Sequence, residues 1–170
     1  MEHILQHIKA FVFDCDGVMT NGTVIIDAKG EGLRNFNIKD GYAVQHAVKQ
    51  GYPFAILSGG NGQSIYHRFN SLGVIDIYLS QSHKEATFLA FCKKYNLLPS
   101  EVAYMGDDMP DIPVLSICGI PTCPRDAVSD VKKVCTWISS RNGGEACVRE
   151  LIETTMKLQN TWYNDDTHHF

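Results

Sequence analysis

Asp14 and Asp16 end the apolar run Phe11-Val12-Phe13 in the stretch FVFDCDGVMT, and Gly17 breaks the chain directly after them. On a strand, neighbouring side chains point to opposite faces and residues two apart share one, so the two carboxylates can converge on a single point. Held that close they repel, and a divalent cation with a preference for oxygen, Mg2+ first, relieves the repulsion. The plain alternative is a strand running into an acidic turn, because Asp and Gly are both turn formers. Three more groups follow in order: Ser58 after Phe54 to Leu57, Lys84 at a helix start, and Asp107, Asp108 and Asp111 after Val102 to Met105. A lone acidic pair or a lone lysine means little, since charges mostly decorate solvated faces. Four such features in fixed order are far more specific.

These groups need elements to position them. The segment Gly22 to Phe36 has apolar runs at Thr23 to Ile26 and Leu33 to Phe36 around turn formers, which predicts a hairpin. A helix is expected over Tyr42 to Gln50 with Asp40 as its N-cap, and another over about Gly62 to Leu72. Ile75 to Leu79 reads as a third core strand. Lys84 to Tyr95 reads as a helix buried on more than one face, because Ala86, Phe88, Leu89, Ala90 and Phe91 crowd together. A short helix through Val114 and Leu115, a strand over Gly119 to Pro121, a helix over Asp126 to Lys132, a strand over Val134 to Ile138 and a helix over Gly144 to Leu158 complete the pattern. Strands that are continuous apolar runs and alternate with helices predict an α/β domain: a three-layer, doubly wound parallel sheet with a protruding hairpin. Ligands bind at the carboxyl ends of such strands, and Asp14, Ser58 and Asp107 each follow one.

The chain has 170 residues, 44% of them hydrophobic and 20% charged, which suits one globular domain over residues 1–158 followed by a polar tail, 159–170. A formal net charge of −4 gives no basic field for a nucleic-acid backbone, so no nucleic-acid partner is expected. No apolar run reaches the roughly 18 residues of a membrane span, and the N-terminus lacks a signal-peptide pattern; no membrane partner and a cytoplasmic location are expected. The six cysteines form no Cys-x-x-Cys pair and read as small buried hydrophobes, with Cys15 facing away from the carboxylates beside it.

At the residues DCDG, LSG, Lys84 and GDDMPD the sequence resembles, motif by motif and in order, the haloacid dehalogenase superfamily of phosphotransferases. The resemblance implies that Asp14 is the nucleophile that forms an aspartyl phosphate, and that Asp16 is acid and then base. It implies Mg2+ held by Asp14, the Asp16 carbonyl and Asp107, phosphoryl oxygens bound by Ser58 and Lys84, and Asp108 and Asp111 fixing metal-bound water and the Lys84 ammonium. Receiver domains of signalling proteins are the rival of a different class, also doubly wound and also phosphorylated on Asp. They place adjacent acids after the first strand, whereas here the first strand carries Asp-x-Asp-Gly.

Only 41 residues separate Asp16 from Ser58 and only 22 separate Lys84 from Asp107, which leaves no room for a cap domain. Either the substrate is a macromolecule or another subunit supplies a lid. The stretches Asn37 to Tyr42 and Arg141 to Glu145 resemble the 3-deoxy-D-manno-octulosonate 8-phosphate phosphatases, a likeness that runs from about Ile8 to Trp162. That family implies a small sugar phosphate as substrate, lipopolysaccharide precursor synthesis as setting, and a homotetramer in which a neighbour's hairpin and tail close the site. Its sugar-contacting residues map onto Asp16, Asn37, Ile38, Lys39, Asp40, Gly41, Gly59, Arg68 and Lys84. Gln45 and Gly60 stand where many members carry arginines, so the resemblance leaves open how the substrate carboxylate is gripped. The nine-carbon 2-keto-3-deoxynononate 9-phosphate is the alternative substrate. Arg149 reads as a helix-surface residue, Trp137 as core, Trp162 as either a docking anchor or a frayed end, and His168 and His169 as solvated.

Overall fold

The computed structural model describes residues 2–163; His168 and His169 lie outside them. A short helix, α1 (Glu2–Leu5), leads into β1 (Ala10–Phe13), and β2 (Ile25–Ile26) and β3 (Gly32–Leu33) form an antiparallel hairpin. Then come α2 (Ile38–Lys49), β4 (Phe54–Leu57), α3 (Gln63–Ser71), β5 (Asp76–Tyr78), α4 (Lys84–Lys94) and β6 (Val102–Met105). The chain continues through α5 (Ile112–Leu115), β7 (Ile120–Cys123), α6 (Ser129–Val134), β8 (Trp137–Ile138) and α7 (Cys147–Leu158).

The apolar runs read from the sequence form the centre of a six-stranded sheet of order β5-β4-β1-β6-β7-β8, every pair parallel. β1, β4 and β6 are buried at every position, which a strand covered on both faces requires and a continuous apolar run permits. Alternation along β1 divides the core in two. Phe11 and Phe13 pack with Val44, Phe69, Leu151 and Ile152 on the α2, α3 and α7 side, while Ala10 and Val12 pack with Phe88, Phe91, Val114 and Val131 on the α4, α5 and α6 side. This is the three-layer, doubly wound α/β architecture. From β1 the chain winds outward through β4 and β5, then crosses back to β6, so the order reverses at β1 and opens a crevice at its carboxyl end. Residues 17–57 and 85–106 are spent on the hairpin, α2, α4 and their strands, without an inserted cap.

Several expectations need correction. α2 starts four residues earlier than expected, capped by Asn37, whose side chain accepts from the Lys39 N–H; Asp40 lies inside the first turn. α4 buries one face only: Phe88, Phe91 and Cys92 are buried, but Ala86, Leu89 and Ala90 are exposed, because no element among the described residues covers its outer side. Trp137 is half-buried on the edge strand β8. Ile75, expected in a core strand, precedes β5 and is 84% exposed. Trp162, in contrast, is docked and buried: its carbonyl receives a 2.9 Å hydrogen bond from His46 Nε2, and its ring lies across His46 and beside the Arg149 guanidinium. Gln159 fastens the chain after α7 by donating from Nε2 to the Leu5 and Ile8 carbonyls, 2.7 Å each.

Asp40 has a different employment from the one expected. α7 opens on Ala146 in the left-handed region, φ 73°, and no side chain of its own caps it. Asp40 does so from α2: its Oδ1 accepts from the Arg149 N–H at 2.7 Å, and the two helices pack along their length. Burial raises the Asp40 carboxyl to about 6 against the lowering effect of the Arg149, Ala146 and Val148 N–H groups. The unfolded chain ionises this group near 3.8, so the folded state holds the extra proton and loses stability as pH rises from about 4 through 6. Asp40→Asn keeps an acceptor and removes the charge. Urea denaturation should therefore show the variant gaining up to about 3 kcal/mol on the wild type between pH 4 and pH 7; a difference constant across that range would show that Asp40 is not the titrating group.

Candidate active site

The carboxyl ends of β1, β4 and β6 deliver their polar residues to one crevice of about 410 Å3. Asp14 continues β1, its N–H bonded to the Met105 carbonyl at 3.0 Å, and is 5% exposed. Ser58 follows β4, buried, with its N–H on the Tyr78 carbonyl and its Oγ accepting from the Gly60 N–H at 3.1 Å. Lys84, the first residue of α4, sends its ammonium between two carboxylates: Asp14 Oδ1 at 2.6 Å and Asp111 Oδ1 at 2.7 Å. Asp111 closes a tight turn, Met109–Asp111, and uses both oxygens. Oδ1 also accepts from the Tyr104 hydroxyl at 2.6 Å, and Oδ2 accepts from the N–H groups of Asp107 and Asp108 at 3.0 and 3.3 Å. Asp108 is exposed and accepts from the Met109 N–H at 2.7 Å.

Gly17 explains why the acidic strand end needs a glycine. It sits at φ 85°, and a Cβ there would lie 2.0 Å from Asp107 Oδ2. The turn after β1 thus packs its backbone directly onto the Asp107 carboxylate, an approach open to glycine alone.

Carboxylate oxygens of Asp14, Asp107 and Asp111 lie within 4.8 Å of one another. Burial, then the Asp111 charge, hold the Asp14 carboxyl well above its usual range, with Lys84 pulling the other way. Burial, Asp111 and Asp108 push Asp107 up to about 7. For Lys84, burial favours the neutral amine, but the charges of Asp14 and Asp111 outweigh it and raise its pKa, so it stays an ammonium. One cation among three carboxylates leaves negative charge uncompensated. Since Asp111 is already engaged, Asp14 and Asp107 are the oxygens with capacity to spare, and an all-oxygen donor set of this kind fits a hard divalent cation such as Mg2+. Cys15 is fully buried, and burial followed by Asp16 and Asp14 holds its thiol well above the normal range, so it is no nucleophile.

Asp16 has a partner that the sequence reading missed. Arg34, one residue past β3, donates from Nε to Asp16 Oδ1 at 2.6 Å and from Nη2 to Oδ2 at 2.9 Å. A single arginine in a hairpin strand gives no sequence signal; only the tertiary fold of the hairpin onto the strand end brings the two together.

Most of the remaining sugar-contact candidates do not line the crevice. Gly59 lines it, but Asn37 to Gly41 and Arg68 are not among its lining residues. Asn37 is committed at both ends of its amide, to the Lys39 N–H and to the Gly144 carbonyl at 2.9 Å. Ile38 and Lys39 are exposed, Asp40 is buried against α7, and Gly41 lies under the Arg68 guanidinium, which a Cβ there would meet at 2.1 Å. A larger cleft, about 510 Å3, runs over the start of α7 between Lys39, Arg141, Arg149, Glu150 and Glu153. Its three glutamates, Glu145, Glu150 and Glu153, are not among the described residues whose carboxylate oxygens come as close as those of Asp14, Asp107 and Asp111, and its Arg149 is paired with Glu153 at 2.8 Å.

Comparison with known proteins gives the same chemistry. Residues 61–151 match the model of a haloacid dehalogenase-like hydrolase family. The 3-deoxy-D-manno-octulosonate 8-phosphate phosphatase of Haemophilus influenzae is 30% identical over 94% of this chain and 88% of its own length. Among solved structures, the Moraxella catarrhalis phosphatase of that name, in complex with magnesium ion, phosphate ion and a KDO molecule, superposes with a TM-score of 0.91 at 28% identity, covering 95% of this chain and 92% of its own. The cobalt-bound Haemophilus influenzae phosphatase gives 0.89 at 29% identity over 92% of each chain. The chain belongs to the haloacid dehalogenase-like hydrolases, among the 3-deoxy-D-manno-octulosonate 8-phosphate phosphatases.

Proposed function

We propose that the protein is a phosphoric monoester hydrolase that converts 3-deoxy-D-manno-octulosonate 8-phosphate to the free sugar acid and phosphate, through a phosphorylated Asp14. The observation that carries this reading is the buried Lys84 ammonium fixed between Asp14 and Asp111, beside Asp107. A lysine held there keeps one Asp14 oxygen fixed and leaves a positive charge where the oxygens of a phosphoryl group would collect. Asp14 Oδ attacks phosphorus in line; the bond to the sugar oxygen breaks as the new P–O bond forms, and Asp16 gives that oxygen a proton. Asp16 then takes a proton from the water that attacks the aspartyl phosphate, which releases inorganic phosphate and restores Asp14. Ser58 and Lys84 bind phosphoryl oxygens, by a hydrogen bond and by charge. Asp14, Asp107 and the Asp16 carbonyl would hold Mg2+, which when bound neutralises the negative charge that carboxylate and phosphate bring together.

Such an enzyme supplies the sugar acid for lipopolysaccharide precursors and works in the cytoplasm; no helix among the described residues is long and apolar enough to cross a membrane. Residues 1–158 form its single domain, followed by the tail. Its active unit is a homotetramer whose hairpins pair between subunits and close the open crevice. Val24, Ile25, Ile26 and Leu33 are 40 to 64% exposed on a hairpin of two paired residues per strand, too little apolar packing to be stable by itself.

Asp14→Asn should abolish phosphate release from the sugar phosphate, by more than about 1000-fold, without lowering Tm in metal-free buffer, since it removes one of three crowded carboxylates. Trapping with beryllium fluoride should place the phosphoryl mimic on Asp14; a mimic on Asp107 or Asp108 would instead make the protein a phospho-accepting regulatory domain. Faster turnover of the nine-carbon 9-phosphate than of the eight-carbon substrate would move the assignment to that sugar.

Charges placed at Val24 and Ile26 should give smaller species in sedimentation and reduce activity on the sugar phosphate more than on an aryl phosphate. A wild-type monomer with full sugar-phosphate activity would sink the shared-site reading.

A further inference from the structure

Asp16 is 32% exposed at the mouth of the crevice, and among the described residues the only fixed hold on its carboxylate is the one the hairpin supplies. That hold is a two-pronged fork from Arg34, whose side chain is only 7% exposed. The rest of the guanidinium is fixed as well: Nη1 donates to the Gly32 carbonyl at 3.1 Å, and the Ser64 hydroxyl of α3 reaches the same carbonyl at 3.3 Å. The chain after β4 is shaped to let the fork through. A Cβ on Gly60 would lie 2.9 Å from Arg34 Nη2 and 3.2 Å from Asp16 Oδ2, and a Cβ on Gly62 would lie 2.8 Å from Arg34 Nη1. Hairpin, β1 end and α3 start therefore meet at one buried guanidinium.

We propose that Arg34 is a positioning residue for the reaction: its fork ties the projecting hairpin to Asp16 and aims the Asp16 carboxyl group, which gives up the proton, at the oxygen of the departing sugar. A planar guanidinium gripping both oxygens of a carboxylate fixes its plane as well as its place, which a point charge cannot do. The consequence reaches beyond one residue. Anything that seats the hairpin, including a second copy of the chain resting on it, also seats Asp16, and a displaced hairpin misaims it. The inference rests on the reading of Asp16 as acid and base given above.

The test uses the quantity kcat/KM, which covers only the steps up to departure of the alcohol. A sugar alkoxide needs a proton to leave, whereas p-nitrophenolate leaves without one. In the full chain with Mg2+, Arg34→Gln should lower kcat/KM on 3-deoxy-D-manno-octulosonate 8-phosphate by about 100-fold, the ordinary scale of general-acid catalysis, and on p-nitrophenyl phosphate by less than about 5-fold. Inhibition by inorganic phosphate should stay unchanged. Arg34→Lys should fall nearly as far as Arg34→Gln, and in an Asp16→Asn background Arg34→Gln should cost nothing further. An equal fall on both substrates, full activity in Arg34→Lys, or additive losses in the double variant would overturn the proposal. If Asp16→Asn itself leaves the sugar-phosphate rate unchanged, the acid-base reading fails; if Asp16→Asn collapses the rate and Arg34→Gln does not, only the role of Arg34 fails.

Discussion

A buried ammonium between two buried carboxylates is the constraint on which this molecule turns. Lys84 reaches from the first residue of α4 to Asp14 at the end of β1 and to Asp111 after β6, so one side chain ties a helix to two strands of the sheet. Taking three charges out of water is costly, and the pairing returns that cost only where hydrogen bonds satisfy the remaining positions. Here they do: Tyr104 and two backbone N–H groups complete the shell of Asp111. Asp111 is thereby spoken for, and the sheet presents Asp14 and Asp107 with negative charge left over. Fold and site are one arrangement, because the parallel order that puts β4, β1 and β6 side by side is also what brings Ser58, Asp14 and Asp107 to one rim.

What could be read from the sequence follows from how local its causes are. The strands that carry the chemistry are unbroken apolar runs ending in polar residues, a pattern that depends on burial at every position and survives without tertiary information. Asp14, Ser58, Lys84 and Asp107 were therefore legible together with the sheet that gathers them. Boundaries governed by a long-range partner were not. Asp40 is a good N-cap type standing before a helical pattern, and the reading assigned it to its own helix; it caps α7 instead, more than 100 residues away. The apolar residues of α4 looked sufficient for two buried faces, but whether a face is buried is decided by what lies opposite, and nothing among the described residues covers Ala86, Leu89 and Ala90.

Trp162 and Arg34 show the same limit from two directions. An aromatic in a polar tail is compatible with docking or fraying, and the choice falls to docking because His46, Tyr42 and Arg149 provide a polar and a π partner around one ring. Arg34 lies inside the predicted hairpin run Leu33 to Phe36, where the sequence gives it no partner, and its guanidinium becomes buried only when the hairpin folds back on the end of β1. Of the glycines that admit it, Gly60 reads from sequence as a position where many related chains carry arginine and Gly62 as the start of a helix, and neither reading shows the guanidinium beside them. Glycine needed for room cannot be told from glycine needed for a turn until the neighbour is known.

The crevice is left electrostatically unfinished, and that is useful to an enzyme. If all three carboxylates were ionised, they and the one ammonium would leave two negative charges at the carboxyl ends of the strands, the balance that a bound divalent cation would restore. In the proposed reaction, the Lys84 ammonium and the Ser58 hydroxyl would then meet a phosphoryl group without a net repulsive field behind them. Stability is given up for this state, since Asp14 and Asp107 are both held above their usual pKa by burial and by their neighbours. The hairpin fits the same logic. In the proposed reaction Asp16 moves protons and so cannot be locked into the buried cluster, yet it must be aimed; a fork from a separate element supplies aim while leaving Asp16 at the mouth of the site. In the proposed reaction the element that aims Asp16 is also the one that leaves Val24, Ile25, Ile26 and Leu33 exposed.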